Sequence, residues 1–298
     1  MLDQINRKDF INQMLLLSGM MLVPGAAFSQ FRSKGPKVKM NFGLVTYLWG
    51  KDWDVPTLIE KLTASGVLGV ELRVDHAHGV HPGLTKGQRK EVRKMFRGSP
   101  VEVLGMGTNE QYDFPDQAKL RQSIEKTTEY IILSHDIGGS GVKVKPNQFH
   151  AGVPKSRTVE QIGRSLNQVA RIGADYGQQI RLEVHGNETQ EIENIKDIMD
   201  VADHPNATVC WNCNAEDLKG RGLENNFNLL KDRFGAVTHV RELDDKSYPY
   251  EELIRLFVGM DYRGWIMLEG RTNPEDKVAA LIQQRNIFDQ MVEKALKG

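Results

Sequence analysis

The sequence predicts a single (β/α)8 TIM barrel, an α/β fold in which eight parallel strands alternate with helices. Eight short β-rich runs alternate with longer helical patterns along the chain. The 298 residues suit this fold, whose usual length is about 250 residues. The first strand-like run leads into "WGKDWD", which lacks the glycine-rich turn of the alternative, a doubly wound sheet.

The strand-like runs are rich in apolar and β-branched residues, and each is followed by a segment with helical spacing. They occupy residues 42–49, 69–74, 101–106, 141–146, 180–185, 207–212, 236–243 and 264–270.

The helical segments carry their own start and stop signals. The first, "DVPTLIEKLTASG", spaces its apolar residues at helical intervals and ends at Gly66. A later helix is predicted to open with a capping box formed by Thr158 and Gln161 and to end at Gly177. The closing helix is predicted to begin at Asn273 and Pro274, a cap followed by an N1 proline.

The N-terminal segment has the pattern of a secretory signal peptide. Arg7 and Lys8 precede an apolar run, a Pro-Gly break and a small-x-small cleavage pattern at residues 27–29. We therefore expect residues 1–29 to be a signal peptide and residues 30–298 to be the catalytic barrel, exported to the periplasm or beyond. "NRKDFI" resembles a weak twin-arginine motif, and an amphipathic helix docked on the domain is the alternative.

The charge balance bears on the class of partner. Lys plus Arg equal Asp plus Glu, at 39 each, so the chain lacks the basic footprint of a nucleic-acid-binding protein. We expect a small carbohydrate as the partner, no nucleic acid, and no membrane after signal cleavage. A homo-oligomer is compatible with the sequence.

The two cysteines, Cys210 and Cys213, form a C-x-x-C pattern. Such a pair can be a redox pair or half of a metal site. Residues three apart on a strand point to opposite faces, and no second C-x-x-C completes a zinc site. Two small buried or loop thiols are the expected outcome.

Chemistry in a barrel collects at the carboxyl ends of the strands. Strands five to eight each end in a group that can bind a metal: Glu183, Asn212, His239 and Glu269. Two carboxylates, an amide oxygen and an imidazole suit one divalent ion, Mn²⁺, Mg²⁺, Co²⁺ or Zn²⁺. A salt bridge or a satisfied polar residue is the alternative for each group taken singly.

Other polar and aromatic residues near the strand ends are candidates for catalysis and for substrate contact. Lys143 is a candidate for polarising a substrate oxygen, and His185 for orienting a hydroxyl or donating a proton. The His76, His78 and His81 cluster is expected to be a solvated loop, with substrate contact or a second metal as alternatives. The substrate-binding candidates are Trp49, Glu71, His78, Thr108, Lys145, Asn214 and Arg241.

The segments "RLEVHG", "CWNCN", "THVREL" and "MLEG" resemble those of the xylose isomerase-like barrel superfamily of sugar isomerases and epimerases. The resemblance covers most of residues 40–296. It implies that Glu183, His239 and Glu269 bind one divalent ion, and that the two glutamates also serve as acid/base groups. Asn212 stands where the family pattern has an aspartate, so one negative charge is missing from the set.

The function expected from these residues and this resemblance is an exported, metal-dependent sugar isomerase or epimerase. It would remove a proton next to a carbonyl and stabilise the resulting enediolate with the metal. The alternatives are a 3-keto-glycoside lyase or hydratase using the same site, and a non-catalytic carbohydrate-binding barrel. An endonuclease of abasic DNA shares the fold but is disfavoured by the zero net charge and by Asn212.

Overall fold

The computed structural model describes residues 39–298. The predicted signal peptide, residues 1–29, lies outside the described residues. Eight parallel strands form the sheet: β1 (Asn41–Val45), β2 (Gly69–Arg73), β3 (Glu102–Gln111), β4 (Gly141–Lys145), β5 (Gln179–Glu183), β6 (Ala207–Cys210), β7 (Val237–Val240) and β8 (Trp265–Leu268).

A helix follows each strand. These are α1 (Val55–Ser65), α2 (Lys86–Arg97), α3 (Gln117–Ile137), α4 (Lys155–Asp175), α5 (Ile192–Val201), α6 (Leu223–Leu230), α7 (Tyr250–Gly259) and α8 (Lys277–Ala295). Short 3-10 turns precede and follow α6. Among the described residues, no helix is long and apolar enough to cross a membrane.

Neighbouring strands pair from β1 to β6 and from β7 to β8, and β1 also pairs with β8, so the sheet curls into a nearly closed barrel. The gap between β6 and β7 is spanned by a parallel bridge between Asn212 and His239. There the backbone N–H of His239 donates to the carbonyl of Trp211 at 2.7 Å. The predicted (β/α)8 fold is therefore confirmed, and the doubly wound alternative is excluded.

Two apolar clusters hold the barrel together. The larger one packs the outer faces of the strands against the helices. The smaller one joins Val45, Leu104, Cys210, Val237 and Met267. Because these residues come from strands spread around the barrel and pack on one another, they fill its interior. The barrel is therefore a packed core below its mouth.

Several element boundaries differ from the sequence-based expectation. Strand β3 runs to Gln111, and β1 ends at Val45. Helix α1 ends as predicted, with Gly66 in the left-handed conformation at φ 69°.

Two predicted helix caps are wrong. Helix α4 begins at Lys155, so Thr158 lies inside its first turn. Its predicted capping partner Gln161 instead donates to the carbonyls of Tyr112 and Phe114. Helix α8 is capped by Asp276, whose carboxylate accepts from Val278 and Ala279, and not by Asn273.

Candidate active site

The strand period brings the polar residues of β5 to β8 to one level of the barrel. Side chains two residues apart on a strand share a face. Asn212, His239 and Glu269 each lie two residues beyond an interior residue, namely Cys210, Val237 and Met267. They therefore project inward one step above the apolar interior, as Glu183 does on β5. Ligand atoms of Glu183, His239 and Glu269 lie within 4.8 Å of one another.

Glu183 forms a buried ion pair with Lys143. Its Oε2 accepts from the ammonium at 2.7 Å, and the two side chains are 2% and 0% exposed. Burial alone would raise the pKa of Glu183. The positive charge of Lys143 and the His239 imidazole outweigh burial and hold that pKa well below its usual value. Glu183 is therefore a carboxylate at neutral pH, and its second oxygen, Oε1, faces the other strand ends.

His239 lies between two carboxylates on opposite sides of its ring. Its Nδ1 is 3.3 Å from Glu183 Oε1, and its Nε2 is 3.2 Å from Glu71 Oε1. The approach to Glu71 is too oblique for a hydrogen bond, so the buried Nε2 and both Glu71 oxygens have no hydrogen-bond partner in the structure. Burial would lower the pKa of His239, but neighbouring Cys210, Glu71 and Glu183 raise it well above its usual value. Glu71, which the sequence suggested as a substrate-binding residue, therefore lies against the His239 ring.

Two asparagines complete the wall beside Glu183. The amide nitrogen of Asn212 lies 3.4 Å from Glu183 Oε1. Asn214 donates to the carbonyls of Val184 and Asn212 at 2.7 and 3.0 Å, so its side chain ties the β5 loop to the β6 loop. Cys210 and Cys213 are free and buried, as the sequence predicts.

Glu269 is the most accessible member of the site. It follows β8 directly and is half-buried, and its N–H donates to the carbonyl of Val240. His185, two residues beyond Glu183, is also half-buried, and its Nδ1 is buried with no partner. Burial lowers its pKa, so the ring is held neutral. These two groups border the open side of the cluster.

The remaining polar candidates divide between buried supports and the rim. Thr108 is buried, and its hydroxyl donates to the carbonyl of Lys143 at 2.7 Å. Lys145 is half-buried at the rim and donates to Asn109 Oδ1 at 3.3 Å. Its pKa falls to about 8, first because of burial and then because of Lys143. Arg241 follows β7, and its Nε is buried without a partner.

Two residues that were expected to contact substrate instead make hydrogen bonds to nearby backbone groups. Trp49 is 2% exposed, and its indole N–H donates to the carbonyl of Thr272 at 3.0 Å. His78 is buried rather than solvated: one ring nitrogen contacts the Arg73 carbonyl at 2.7 Å, and the other accepts from the N–H of Val80. Burial lowers the pKa of His78 to about 4. Both side chains stabilise loops at the mouth.

Comparison with known proteins agrees with this architecture. The family model described as the xylose isomerase-like TIM barrel matches residues 59–286. The chain belongs to this family. No curated protein matches its sequence.

Solved structures of similar fold include several sugar epimerases. The apo form of 3-keto-D-glucoside 4-epimerase, YcjR, from E. coli shares 12% identity at a TM-score of 0.71, over 85% of this chain and 100% of that one. An L-ribulose 3-epimerase shares 14% identity at a TM-score of 0.73, over 87% and 96%. The probable 3-DHS dehydratase AsbF from Bacillus anthracis shares 14% identity at a TM-score of 0.66, over 84% and 99%.

Two residues at the mouth of this xylose isomerase-like barrel were not among the site candidates predicted from the sequence. Arg73 ends β2, and its guanidinium donates to Asn109 Oδ1 at 3.1 Å and lies over the Tyr47 ring. Asn109 lies on the part of β3 that extends beyond the predicted strand. Arg73 lies two residues beyond Glu71, so the strand period carried the signal that places it at the mouth.

Proposed function

We propose that the protein is a divalent-metal-dependent enzyme of the sugar isomerase or epimerase type, acting on a free sugar or a keto-sugar. The observation that carries the proposal is the convergence of Glu183, His239 and Glu269, whose ligand atoms lie within 4.8 Å of one another. Two carboxylates and one imidazole, beside the amide of Asn212, suit Mn²⁺, Mg²⁺, Co²⁺ or Zn²⁺.

The surroundings of His239 fit a metal ligand. A ligating histidine usually directs its second ring nitrogen to a carboxylate, which fixes the tautomer and the ring orientation. Here Nε2 faces Glu71 at 3.2 Å, while Nδ1 faces the side of Glu183. Ion binding at Nδ1 would replace the present contact of Nδ1 with Glu183 Oε1 at 3.3 Å and leave the ring proton on Nε2, on the side of Glu71. Glu71 is then the carboxylate nearest that proton, and a small rotation of its carboxylate would make it the hydrogen-bond acceptor.

Glu183 and Asn212 would supply oxygen ligands. Glu183 commits Oε2 to Lys143 at 2.7 Å, and its Oε1, which contacts His239 Nδ1 and the Asn212 amide, would turn to the ion. The Asn212 amide directs its nitrogen toward Glu183 Oε1 at 3.4 Å. Rotation of the amide about its last side-chain bond exchanges the positions of its nitrogen and its oxygen. In the ion-bound site the oxygen would face the ion. Asn212 then adds a neutral oxygen where the family pattern has a carboxylate.

Proton transfer is the chemistry that these residues support. A bound divalent ion supplies Lewis-acid polarisation of a substrate carbonyl and charge stabilisation beside it. Glu183, kept ionised by Lys143, and the more exposed Glu269 are carboxylates able to accept a proton from carbon. The neutral His185 ring, with Nδ1 unpartnered, is suited to orient a hydroxyl or to return a proton. Return to the opposite face gives an epimer, and return to the neighbouring carbon gives an isomer.

A 3-keto-glycoside lyase or hydratase is the second candidate. The same proton removal beside a ketone expels a leaving group when one is attached at the β position. The structural similarity to a 3-keto-D-glucoside epimerase and to a dehydratase supports keeping this reaction beside epimerisation.

The test is solvent deuterium exchange. Mn²⁺-loaded protein in D₂O with D-fructose or a 3-keto-glucoside should place deuterium on the carbon beside the carbonyl, seen by NMR. Glu269→Gln should lose both exchange and bound Mn²⁺, measured by elemental analysis. Glu275→Gln, an exposed glutamate in the segment before α8, is the matched control and should keep both. Release of the aglycone selects the lyase. Sugar binding without exchange would instead select a carbohydrate-binding barrel.

We further propose export as the location, on the strength of the sequence pattern of residues 1–29. Fractionation of cells expressing the full chain tests it. Mature protein in the periplasm with its new N-terminus near residue 30 supports export, and full-length protein in the cytoplasm contradicts it.

A further inference from the structure

The rim above the cluster carries two positive charges close together. Arg73 lies two residues beyond Glu71, and Lys145 two residues beyond Lys143. Because Glu71 and Lys143 both reach inward to the cluster, the strand period directs Arg73 and Lys145 to the mouth above it. Both donate to the same oxygen, Asn109 Oδ1, at 3.1 and 3.3 Å.

These charges have no acidic partner. Within residues 39–298, no carboxylate oxygen lies within the 4.0 Å of an ion pair from either Arg73 or Lys145, in contrast to the buried pair of Lys143 and Glu183. Arg73 Nε is buried and makes no hydrogen bond. Burial, Lys143 and Arg73 lower the pKa of Lys145 to about 8, and the opposing effect of Glu183 and Glu269 is too small to offset them. Partly buried cations without a paired counter-ion are costly, and an anion in contact with them relieves that cost.

The cluster itself does not need these two charges. Glu71, Glu183 and Glu269 bring three negative charges, and Lys143 together with a divalent ion would bring three positive ones. With the ion bound, the charges of the cluster balance, and Arg73 and Lys145 add two positive charges that no group of the cluster neutralises. The unpartnered Nδ1 of His185, two residues beyond Glu183 and close enough to Lys145 to feel its charge, adds a third nitrogen near the mouth.

We propose that the substrate is an acidic sugar, whose anionic oxygen group, a carboxylate or a phosphate, binds between Arg73 and Lys145. This inference rests on the proposed function for the position of the reacting carbons. A guanidinium fixed over the Tyr47 ring, 5.9 Å from its centroid, offers a planar pair of donors to such a group. Asn109 holds the two cations in place until the anion binds.

Calorimetric binding to Mn²⁺-loaded protein tests the proposal with three sugars that differ only at C6: D-glucose, D-glucuronate and D-glucose 6-phosphate. One anionic sugar should bind at least about tenfold more tightly than D-glucose, as expected for a charge-assisted contact. The tighter of the two identifies carboxylate or phosphate. Arg73→Met and Lys145→Met should each reduce that preference severalfold, whereas Lys119→Met, at an exposed position of α3, should preserve it.

Equal affinity for the three sugars, binding of none of them, or a preference that survives both substitutions would overturn the proposal. Should Arg73→Met fail to fold, Lys145→Met alone provides the charge comparison, and Arg73→Lys tests the paired donors of the guanidinium at constant charge. The outcome is separable from that of the proposed function. Anion preference without deuterium exchange removes the enzymatic proposal only, and exchange of D-fructose without anion preference removes the acidic substrate only.

Discussion

Replacing Lys143 with methionine should destabilise the metal-free protein strongly and the metal-bound protein weakly. The lysine ammonium is 2.7 Å from Glu183 Oε2, in a pair whose side chains are 0% and 2% exposed. Lys143→Met keeps much of the side-chain volume but leaves the Glu183 carboxylate buried without its main counter-charge. In the proposed site, a divalent ion on the same carboxylate would replace the missing charge.

The magnitude follows from this burial. Removing one partner of a buried ion pair costs about 3–5 kcal/mol. For a domain of this size, each kcal/mol moves Tm by about 2–4 °C, so the expected fall in chelator-treated protein is about 6–20 °C. Lys196→Met is the matched control. Lys196 pairs with Asp200 at 2.5 Å, with side chains 38% and 60% exposed, and its loss should cost at most about 1 kcal/mol.

Thermal unfolding of both variants, in chelator and in saturating Mn²⁺, provides the assay. An ion at 100 times its Kd stabilises the wild-type protein by about 2.7 kcal/mol. Its effect on Lys143→Met should be larger, because the ion also neutralises Glu183. The reasoning is refuted if Lys143→Met melts like the Lys196→Met control in chelator, or if Mn²⁺ stabilises the variant no more than the wild type.

Three further results are expected. Asn212→Asp should tighten Mn²⁺ binding at least about tenfold by restoring a ligand charge. It should also destabilise the metal-free protein by placing a second carboxylate beside Glu183. Unchanged Mn²⁺ affinity in calorimetry would argue against Asn212 as a ligand. Burial raises the pKa of Asp217 to about 7. Because the unfolded chain loses this proton at lower pH than the folded protein, the free energy of unfolding falls as the pH rises from about 4 to 7, by an amount on the order of 4 kcal/mol. Urea unfolding should show Asp217→Asn more stable than wild type at about pH 8 and similar to it at about pH 4, and parallel pH profiles would disprove this. Cys210 and Cys213, both buried with raised pKa, should react with a thiol reagent only after denaturation, and prompt reaction of the native protein would contradict their burial.

The sequence was sufficient for the fold and for the inward direction of side chains at the strand ends. Alternation along a strand places Glu183 and His239 inside without knowledge of any contact. The sequence does not show which of the inward residues meet across the barrel. The contact of Glu71 on β2 with His239 on β7, and that of Lys143 with Glu183, depend on the barrel's closure and on strand stagger.

The errors at the helix ends have a related physical origin. Gln161 satisfies a capping pattern in sequence, yet its amide serves the carbonyls of Tyr112 and Phe114. Asn273 is followed by proline, but the carboxylate of Asp276 caps the helix three residues later. Local patterns offer several polar groups at each end, and tertiary contacts choose among them.

The central claim is that Glu183, Asn212, His239 and Glu269 hold one divalent ion at the mouth of the barrel. Its most direct test is a crystal structure of Mn²⁺-loaded protein with anomalous diffraction at the manganese edge. We predict one anomalous peak with the two carboxylates, the Asn212 amide oxygen and His239 Nδ1 all at about 2.0–2.4 Å. An ion bound elsewhere, or no ion at a concentration that saturates the protein in solution, would contradict the account.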